Sequence, residues 1–323
     1  MEENDDLIRK TLWDDYDNSK DYPDQRPLLA HYTSISTIEK IINSNELWLS
    51  NPLFMNDWEE LRFGMNAGAD SFRTSRLIAN ACGSTAIHST LIQAFDKIFH
   101  RFANDHAIDT YILCFSEHDP NDADGLLSMW RGYGEVGSGA ALVIDTSKIN
   151  TNAIEDIPLS IGRVHYATQN ERISWIENKI KDLTHLINML PKSQKVFEFM
   201  AQIWFERLLM FSLFTKHKGF SEEQEWRLVY VKERDPKFIF SSFLSYSITS
   251  QGVHPKLKLR LSEFSKASDL LPDFNIADLT DRILLGPTIS SELSVQSFRR
   301  MFRLTSHHLL VDKIRASTIP FRP

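Results

Sequence analysis

Two short polar stretches, far apart in the chain, carry residue types from which a catalytic site could be built. His-Tyr-Thr at 31–33 closes an apolar segment, and Glu-Gln-Glu-Trp-Arg at 223–227 opens another. Because side chains alternate along an extended strand, Glu223, Glu225 and Arg227 are predicted to share one face. Two carboxylates on one face can divide the work of catalysis between charge stabilisation and activation of a nucleophile. The alternative is an ordinary Glu–Arg ladder on the protein surface.

A third stretch adds aromatic rings between these two. Ser116 follows an apolar strand segment, and Trp130 and Tyr133 follow it within a short predicted helix. Aromatic side chains beside a strand end can stack on a flat ring of a ligand. Ordinary core packing is the alternative interpretation of the same residues.

A fourth stretch, Asn-Asp-Trp-Glu-Glu at 56–60, is acidic. Asp57, Glu59 and Glu60, with His31, could hold a divalent metal, which would indicate a metal-dependent nuclease or hydrolase. The alternative is a helix start, where acidic side chains complement the helix dipole.

Several familiar signatures are absent from the sequence. It contains no G-x-x-x-x-G-K-[ST] phosphate loop, no H-E-x-x-H motif, no zinc-type Cys/His spacing and no G-x-S-x-G elbow. Gly132, Gly134 and Gly137 have the G-x-G-x-x-G spacing, but they precede a predicted strand and do not link a strand to a helix, which argues against a dinucleotide-binding turn. Nucleotide binding through a P-loop or a dinucleotide fingerprint is therefore not expected.

Composition limits the function classes further. The formal net charge is -7, which argues against a protein that coats nucleic acid, although a local basic patch stays open. Two cysteines make a disulfide framework implausible and favour a reducing compartment. The acidic N-terminus does not resemble a signal peptide, and no apolar run approaches the roughly 20 residues that span a bilayer. We expect a cytoplasmic protein with no membrane association.

Strands and helices follow one another without regular βαβ spacing, which predicts an α+β fold with a mixed, mostly antiparallel sheet. We expect a polar extension at 1–27, then one domain over 28–323 with a helical insertion near 168–218. Ser36 and Glu39 are spaced as a capping box at a helix start. Helices are predicted at 84–104, 170–190, 194–216 and 291–303, and strands at 28–33, 46–50, 111–116, 139–145, 161–166, 225–232, 237–240, 257–261 and 282–285.

The ordered set of these stretches resembles a bacterial family known only as domain-of-unknown-function family 2971. The resemblance covers roughly residues 28–322, and no single motif carries it. Its segments are 31–34, 47–50, 56–59, 114–117, 130–134, 139–145, 216–227, 285–287 and 317–322.

More distantly, a His-Tyr-Thr strand, a middle aromatic site and a Glu-x-Glu strand resemble the three-part signature of ADP-ribosyltransferases. That resemblance implies an ADP-ribosyltransferase-like fold and NAD as the substrate. Glu225 would be the catalytic carboxylate and Glu223 would face the acceptor, a nucleic acid or a protein. The residues implied in NAD binding are His31, Tyr32, Thr33, Ser116, Trp130, Tyr133 and Arg227.

Three hypotheses follow from the sequence. The first is an NAD-cleaving transferase, such as a toxin or phage-defence effector, in which His31 and Glu225 line one cleft and Glu225→Gln spares the fold. The second is the metal-dependent nuclease or hydrolase. The third is a non-catalytic binding or sensor module, in which Glu225 and Arg227 are buried partners.

Overall fold

A computed structural model describes residues 2–16, 21–55, 58–103, 107–149, 157–250, 252–267 and 272–321. The chain divides into two compact units. We call residues 1–18, 52–109 and 164–220 the helical unit, and residues 19–51, 110–163 and 221–323 the sheet unit. The segment predicted as an insertion, 168–218, lies in the helical unit together with residues 52–109, and the prediction of a single domain stays a prediction.

The described helices and strands confirm the α+β class predicted from the sequence. The helices are α1 (Glu2–Leu12), α2 (Ile35–Ser44), α3 (Trp58–Thr74), α4 (Arg76–Cys82), α5 (Thr85–Arg101), α6 (Leu127–Gly132), α7 (Gln169–Met189), α8 (Gln194–Leu213), α9 (Phe264–Ala267), α10 (Ile276–Leu279) and α11 (Glu292–Leu304). The strands are β1 (Leu28–Thr33), β2 (Glu46–Ser50), β3 (Thr110–His118), β4 (Ala140–Asp145), β5 (Leu159–Arg163), β6 (His165–Ala167), β7 (Thr215–His217), β8 (Glu225–Val231), β9 (Leu244–Thr249), β10 (Gly252–Arg260), β11 (Thr280–Leu285) and β12 (Ile314–Ala316).

The helical unit is built around α8. This helix buries apolar side chains on nearly all sides, including Phe197, Trp204 and Phe211, as expected of a helix inside a core. Trp204 stacks on Phe72 of α3, and β6 pairs in parallel with β7 beside these helices. Among the residues that the structure describes, no helix has the length and apolar character needed to cross a membrane.

The sheet unit carries one mostly antiparallel sheet, as predicted. Its main strand order is β12-β11-β4-β1-β3-β2-β10-β9, and β8 joins β3 to β5. Every described pairing in this sheet is antiparallel except that of β11 with β12. The strand predicted at 237–240 is wrong, since Phe238 has a φ of 53° and the segment forms turns.

Local signals in the sequence explain where helix α2 begins and which side chains it buries. Helix α2 buries Ile38, Ile41 and Ile42 as expected, but its N-cap is Ser34, whose side chain accepts from the Thr37 amide. The capping box predicted at Ser36 and Glu39 is therefore wrong, because the helix begins two residues earlier and the residue three positions after its N-cap is Thr37.

The sheet branches at β3. Along one edge β3 pairs with β8 from Thr110 to Ser116. Along the other edge it meets β2 at Ile112 and β1 at Ser116, so β1 and β2 diverge between these two points. The sequence-predicted site residues of β1, β3 and β8 lie around this branch point.

Candidate functional site

The strand register places Ala30, Ser116 and Glu225 in one row across β1, β3 and β8. Ala30 is the partner of Ser116, and Ser116 is the partner of Glu225. Residues opposite one another in antiparallel strands project from the same face. The Ser116 side chain therefore lies beside that of Glu225, and the small Ala30 lies on the far side of Ser116.

Glu225 and Arg227 form a buried ion pair on that face. Arg227 donates from Nε to Glu225 Oε1 at 2.7 Å and from an Nη to Oε2 at 3.2 Å. Glu225 is 3% exposed and Arg227 is 2% exposed. A bidentate contact of this kind fixes both carboxylate oxygens. This is the arrangement that the third hypothesis requires.

Glu223 does not share the strand with Glu225, which corrects the expectation for 223–227. Gln224 has a φ of 45°, a left-handed conformation, so β8 begins only at Glu225. The Glu223 carbonyl accepts the Ser116 hydroxyl at 2.7 Å. The Glu223 side chain is partly buried.

Tyr133 closes the exposed edge of the site. Its hydroxyl donates to Glu223 Oε1 at 3.1 Å, and its ring is 45% exposed. The loop that follows is strained, with φ values of 47° at Glu135 and 52° at Val136. A β-branched residue rarely adopts positive φ, and such strain tends to cluster at functional sites.

This loop returns to β1 at very close range. A Cβ added to Gly139 would lie 2.3 Å from the Thr33 carbonyl oxygen, so only glycine fits there. Thr33, at the end of β1, is partly buried and contacts this turn rather than Glu225.

His31 lies at the branch point but on the opposite face from Glu225. It is one residue beyond Ala30 in β1, and its ring packs edge-on against Phe115, whose centroid is 5.9 Å away. Its Nδ1 is 3.0 Å from the Cys114 carbonyl oxygen, which only accepts, so Nδ1 is the donor. Burial lowers the pKa of His31 despite this hydrogen bond. Strand alternation therefore puts His31 and Glu225 on opposite faces of the sheet, and the prediction that they line one cleft stays a prediction.

Tyr32 and Trp130 are packing residues in this structure. Trp130 is fully buried, its indole N–H donates to the Asp124 carbonyl at 2.9 Å, and its ring meets Tyr32 edge-on at 4.8 Å. The Tyr32 hydroxyl accepts from the Leu126 amide at 3.0 Å, and burial raises its pKa to about 12. Neither side chain is open to a ligand.

The structure thus brings together Ser116, Tyr133, Glu223, Glu225 and Arg227, which we call the polar cluster. It leaves His31 on the other face and Tyr32, Trp130 and Thr33 in packing positions. Their predicted roles in NAD binding stay predictions.

The metal hypothesis falls largely outside the described residues. Asp57 and the side chains of Glu59 and Glu60 are not described. Within the described part of the chain, no group of three or more His, Cys, Asp or Glu residues could hold a metal ion.

Sequence reasoning gave no role to Glu117, which follows Ser116 on β3. Its Oε2 accepts from the Trp226 indole at 2.9 Å and pairs with an Arg163 Nη at 2.7 Å. Its backbone amide donates to the Gln224 carbonyl at 2.8 Å, which continues the ladder past the left-handed residue. No sequence signal marks these contacts, because they join segments about 50 to 110 residues apart.

The fold and site define an α+β protein with a buried carboxylate–guanidinium pair and a partly exposed second carboxylate at the branch of its sheet. A family model described as protein of unknown function (DUF2971) matches residues 129–228, which confirms the predicted resemblance to that family over this segment. The match takes in Trp130, Tyr133 and the whole of 223–227. No curated protein and no solved structure matches the chain.

Proposed function

We propose that this protein is an ADP-ribosyltransferase-like enzyme that cleaves NAD and transfers ADP-ribose to a macromolecule. The observation that carries the proposal is the arrangement of two carboxylates with different surroundings. Glu225 is buried and held by two hydrogen bonds from Arg227, whereas the Glu223 side chain is partly buried and accepts from the hydroxyl of the exposed Tyr133. Two carboxylates in unlike environments are typical of sites that divide catalytic roles.

Glu225 is suited to stabilise the ribose in the transition state. When the glycosidic C–N bond breaks, nicotinamide leaves with the bonding electrons and the ribose carbon gains oxocarbenium character, as in glycoside cleavage. A carboxylate that is already oriented stabilises this charge without reorganising. Arg227 acts as a positioning residue, because its two hydrogen bonds hold both Glu225 oxygens in place.

Glu223 is suited to the second half of the reaction. The acceptor forms a bond to the ribose carbon and must lose a proton, which Glu223 takes as general base. Tyr133 positions this carboxylate through the hydrogen bond from its hydroxyl. Because Glu225 is 3% exposed, a substrate must displace the Tyr133–Glu223 contact to reach it.

A specific observation favours a second candidate, the non-catalytic binding module. Glu225 and Arg227 satisfy each other inside the sheet unit, as buried structural pairs do. In that case the polar cluster shapes the end of the sheet and performs no chemistry.

Nicotinamide release from NAD separates the two candidates. We expect release by the wild-type protein, and a loss of about 100- to 1000-fold in Glu225→Gln, the usual effect of removing one preorganised group. Glu223→Gln should slow both transfer to an acceptor and hydrolysis to free ADP-ribose, since the acceptor and water each lose a proton when they bond to the ribose carbon.

The matched control is Glu222→Gln, which makes the same chemical change at the neighbouring exposed residue. This variant should release nicotinamide at the wild-type rate. Circular dichroism of every variant confirms that it is folded. Wild-type protein that releases no nicotinamide in the presence of nucleic-acid and protein acceptors, or an equal rate in folded Glu225→Gln, contradicts the proposal and favours the binding module.

A further inference from the structure

The β2–β10–β9 end of the sheet carries a row of basic side chains on one face. Alternate residues of β10 are basic: His254, Lys256, Lys258 and Arg260. We call these four the basic row. The intervening Leu257 and Leu259 are buried in the core on the opposite face. The row is therefore fixed by strand alternation and lies along one line of the sheet.

The two lysines in the middle of the row have no acidic partner among the described residues. Lys256 Nζ donates to the Ser50 hydroxyl at 2.5 Å, and Lys258 Nζ lies 4.0 Å from the centroid of the Trp48 ring. Partial burial lowers the pKa of Lys256, and the positive charge of Lys258 lowers it further. Arg260 differs, because its Nε is 2.8 Å from Glu263 Oε2.

The residues opposite Lys256 in both neighbouring strands carry hydroxyls, whereas the carboxylate of Glu46 on β2 is opposite Arg260 and accepts from the Trp48 indole at 2.7 Å. Ser50 of β2 is opposite Lys256, and on the other side Ser245 and Ser247 of β9 are opposite Lys256 and His254. Hydroxyls and ammonium groups together are the usual partners of phosphate oxygens. The chain as a whole has a net charge of -7, so this row is a local concentration of basic side chains in an acidic protein.

We propose that this face binds a single-stranded nucleic acid, with Lys256 and Lys258 contacting successive phosphates and Trp48 stacking on an unpaired base. Alternate strand residues are about 6.6–6.8 Å apart, so the two ammonium groups repeat along a line as the charges of a nucleic-acid backbone do. Trp48 is 41% exposed and lies directly opposite Lys258 in the register. A basic strip next to an exposed aromatic ring is the arrangement that single-strand binding uses.

This inference deepens the proposed function, because it names the acceptor class as nucleic acid, and the acceptor role rests on that function. The binding itself does not depend on catalysis. It is therefore tested without NAD, so that a failure of binding and a failure of NAD cleavage are told apart.

The test is fluorescence anisotropy with a labelled single-stranded oligonucleotide of about 20 nucleotides and mixed sequence, titrated at about 50 to 200 mM salt. We expect Lys256→Gln/Lys258→Gln to bind at least about tenfold more weakly at low salt. Each phosphate contact contributes about 0.7 to the slope of log affinity against log salt for single strands, so losing two should reduce the slope by about 1.4. Trp48→Leu should weaken binding while leaving the slope unchanged, since it removes stacking and no charge.

The matched control is Lys181→Gln/Lys195→Gln, which removes the same charge at two exposed helix residues of the helical unit. This control should retain both the affinity and the slope of the wild-type protein. Nicotinamide release without an acceptor should be unchanged in Lys256→Gln/Lys258→Gln, because neither lysine belongs to the polar cluster.

Three results overturn the inference. One is a wild-type protein that does not bind the oligonucleotide at low salt. Another is an equal loss of affinity in the control pair, which indicates a diffuse charge effect. The third is displacement of the oligonucleotide by a polyglutamate peptide at equal charge concentration, which assigns the face to an acidic protein instead.

Discussion

The buried pair of Glu225 and Arg227 gives the sharpest test of the structure. Arg227→Met keeps a long apolar stem but removes the two donors that hold the Glu225 carboxylate. Removing one partner of a buried ion pair costs about 3–5 kcal/mol, because the other charge loses its compensation. Glu225→Gln keeps one acceptor oxygen and should cost about 1.5–3 kcal/mol.

Thermal unfolding of the four members of a double-mutant cycle measures these costs. At about 2–4 °C per kcal/mol for a domain of some 150–250 residues, Arg227→Met should lower Tm by about 6–20 °C. The double variant Glu225→Gln/Arg227→Met should be less destabilised than the sum of the single changes by about 1–3 kcal/mol, since the second change leaves no charge behind.

Arg163→Met is the reference for this cycle. It removes the exposed arginine that pairs with Glu117 at 2.7 Å, and exposed pairs contribute about 0–1 kcal/mol. If Arg227→Met lowers the free energy of unfolding no more than Arg163→Met does, the Glu225–Arg227 pair is not desolvated. The reasoning about its burial is then refuted. The sequence alone predicted that Glu225→Gln spares the fold. The structure revises this expectation to a loss of stability, because Arg227 stabilises the Glu225 carboxylate.

Two further predictions concern pH and backbone strain. Burial lowers the pKa of both His31 and His118, so below about pH 6.5 the unfolded chain binds more protons and the free energy of unfolding should fall as the pH drops from about 7.5 to 5.5. Denaturant titrations at several pH values should show that the free energy of unfolding depends less on pH in His31→Gln and in His118→Gln than in the wild-type protein. An unchanged pH dependence in both variants contradicts the burial of these rings. Val136 has a φ of 52° and is 51% exposed, so Val136→Gly should relieve strain at little packing cost and raise the free energy of unfolding by about 0.5–1 kcal/mol. If calorimetry finds this variant less stable, the left-handed conformation is not a source of strain.

Much of the secondary structure could be predicted because its signals are local. The periodic apolar pattern at 84–104 corresponds to α5, and the two patterns after 168 correspond to α7 and α8. The strand predicted at 46–50 is β2, and the one predicted at 28–33 is β1. Strand β9 carried no prediction, since its exposed, hydroxyl-rich pattern has no apolar run.

The site was predicted only in part. Ser116, Tyr133, Glu223, Glu225 and Arg227 do come together, although they lie in three separate segments. The face of His31 could not be predicted, because alternation relates residues within one strand and says nothing about the register between two strands.

The sequence by itself determined which residues of each strand share a face, the apolar periodicity of the helices and the separation of acidic from apolar stretches. These features depend on residues a few positions apart. The tertiary structure alone decided that Ser116 meets Glu225, that Gln224 turns Glu223 out of the strand, and that the sheet branches beside His31. These features depend on pairing between segments roughly a hundred residues apart, where the free energy of packing the whole sheet selects one register.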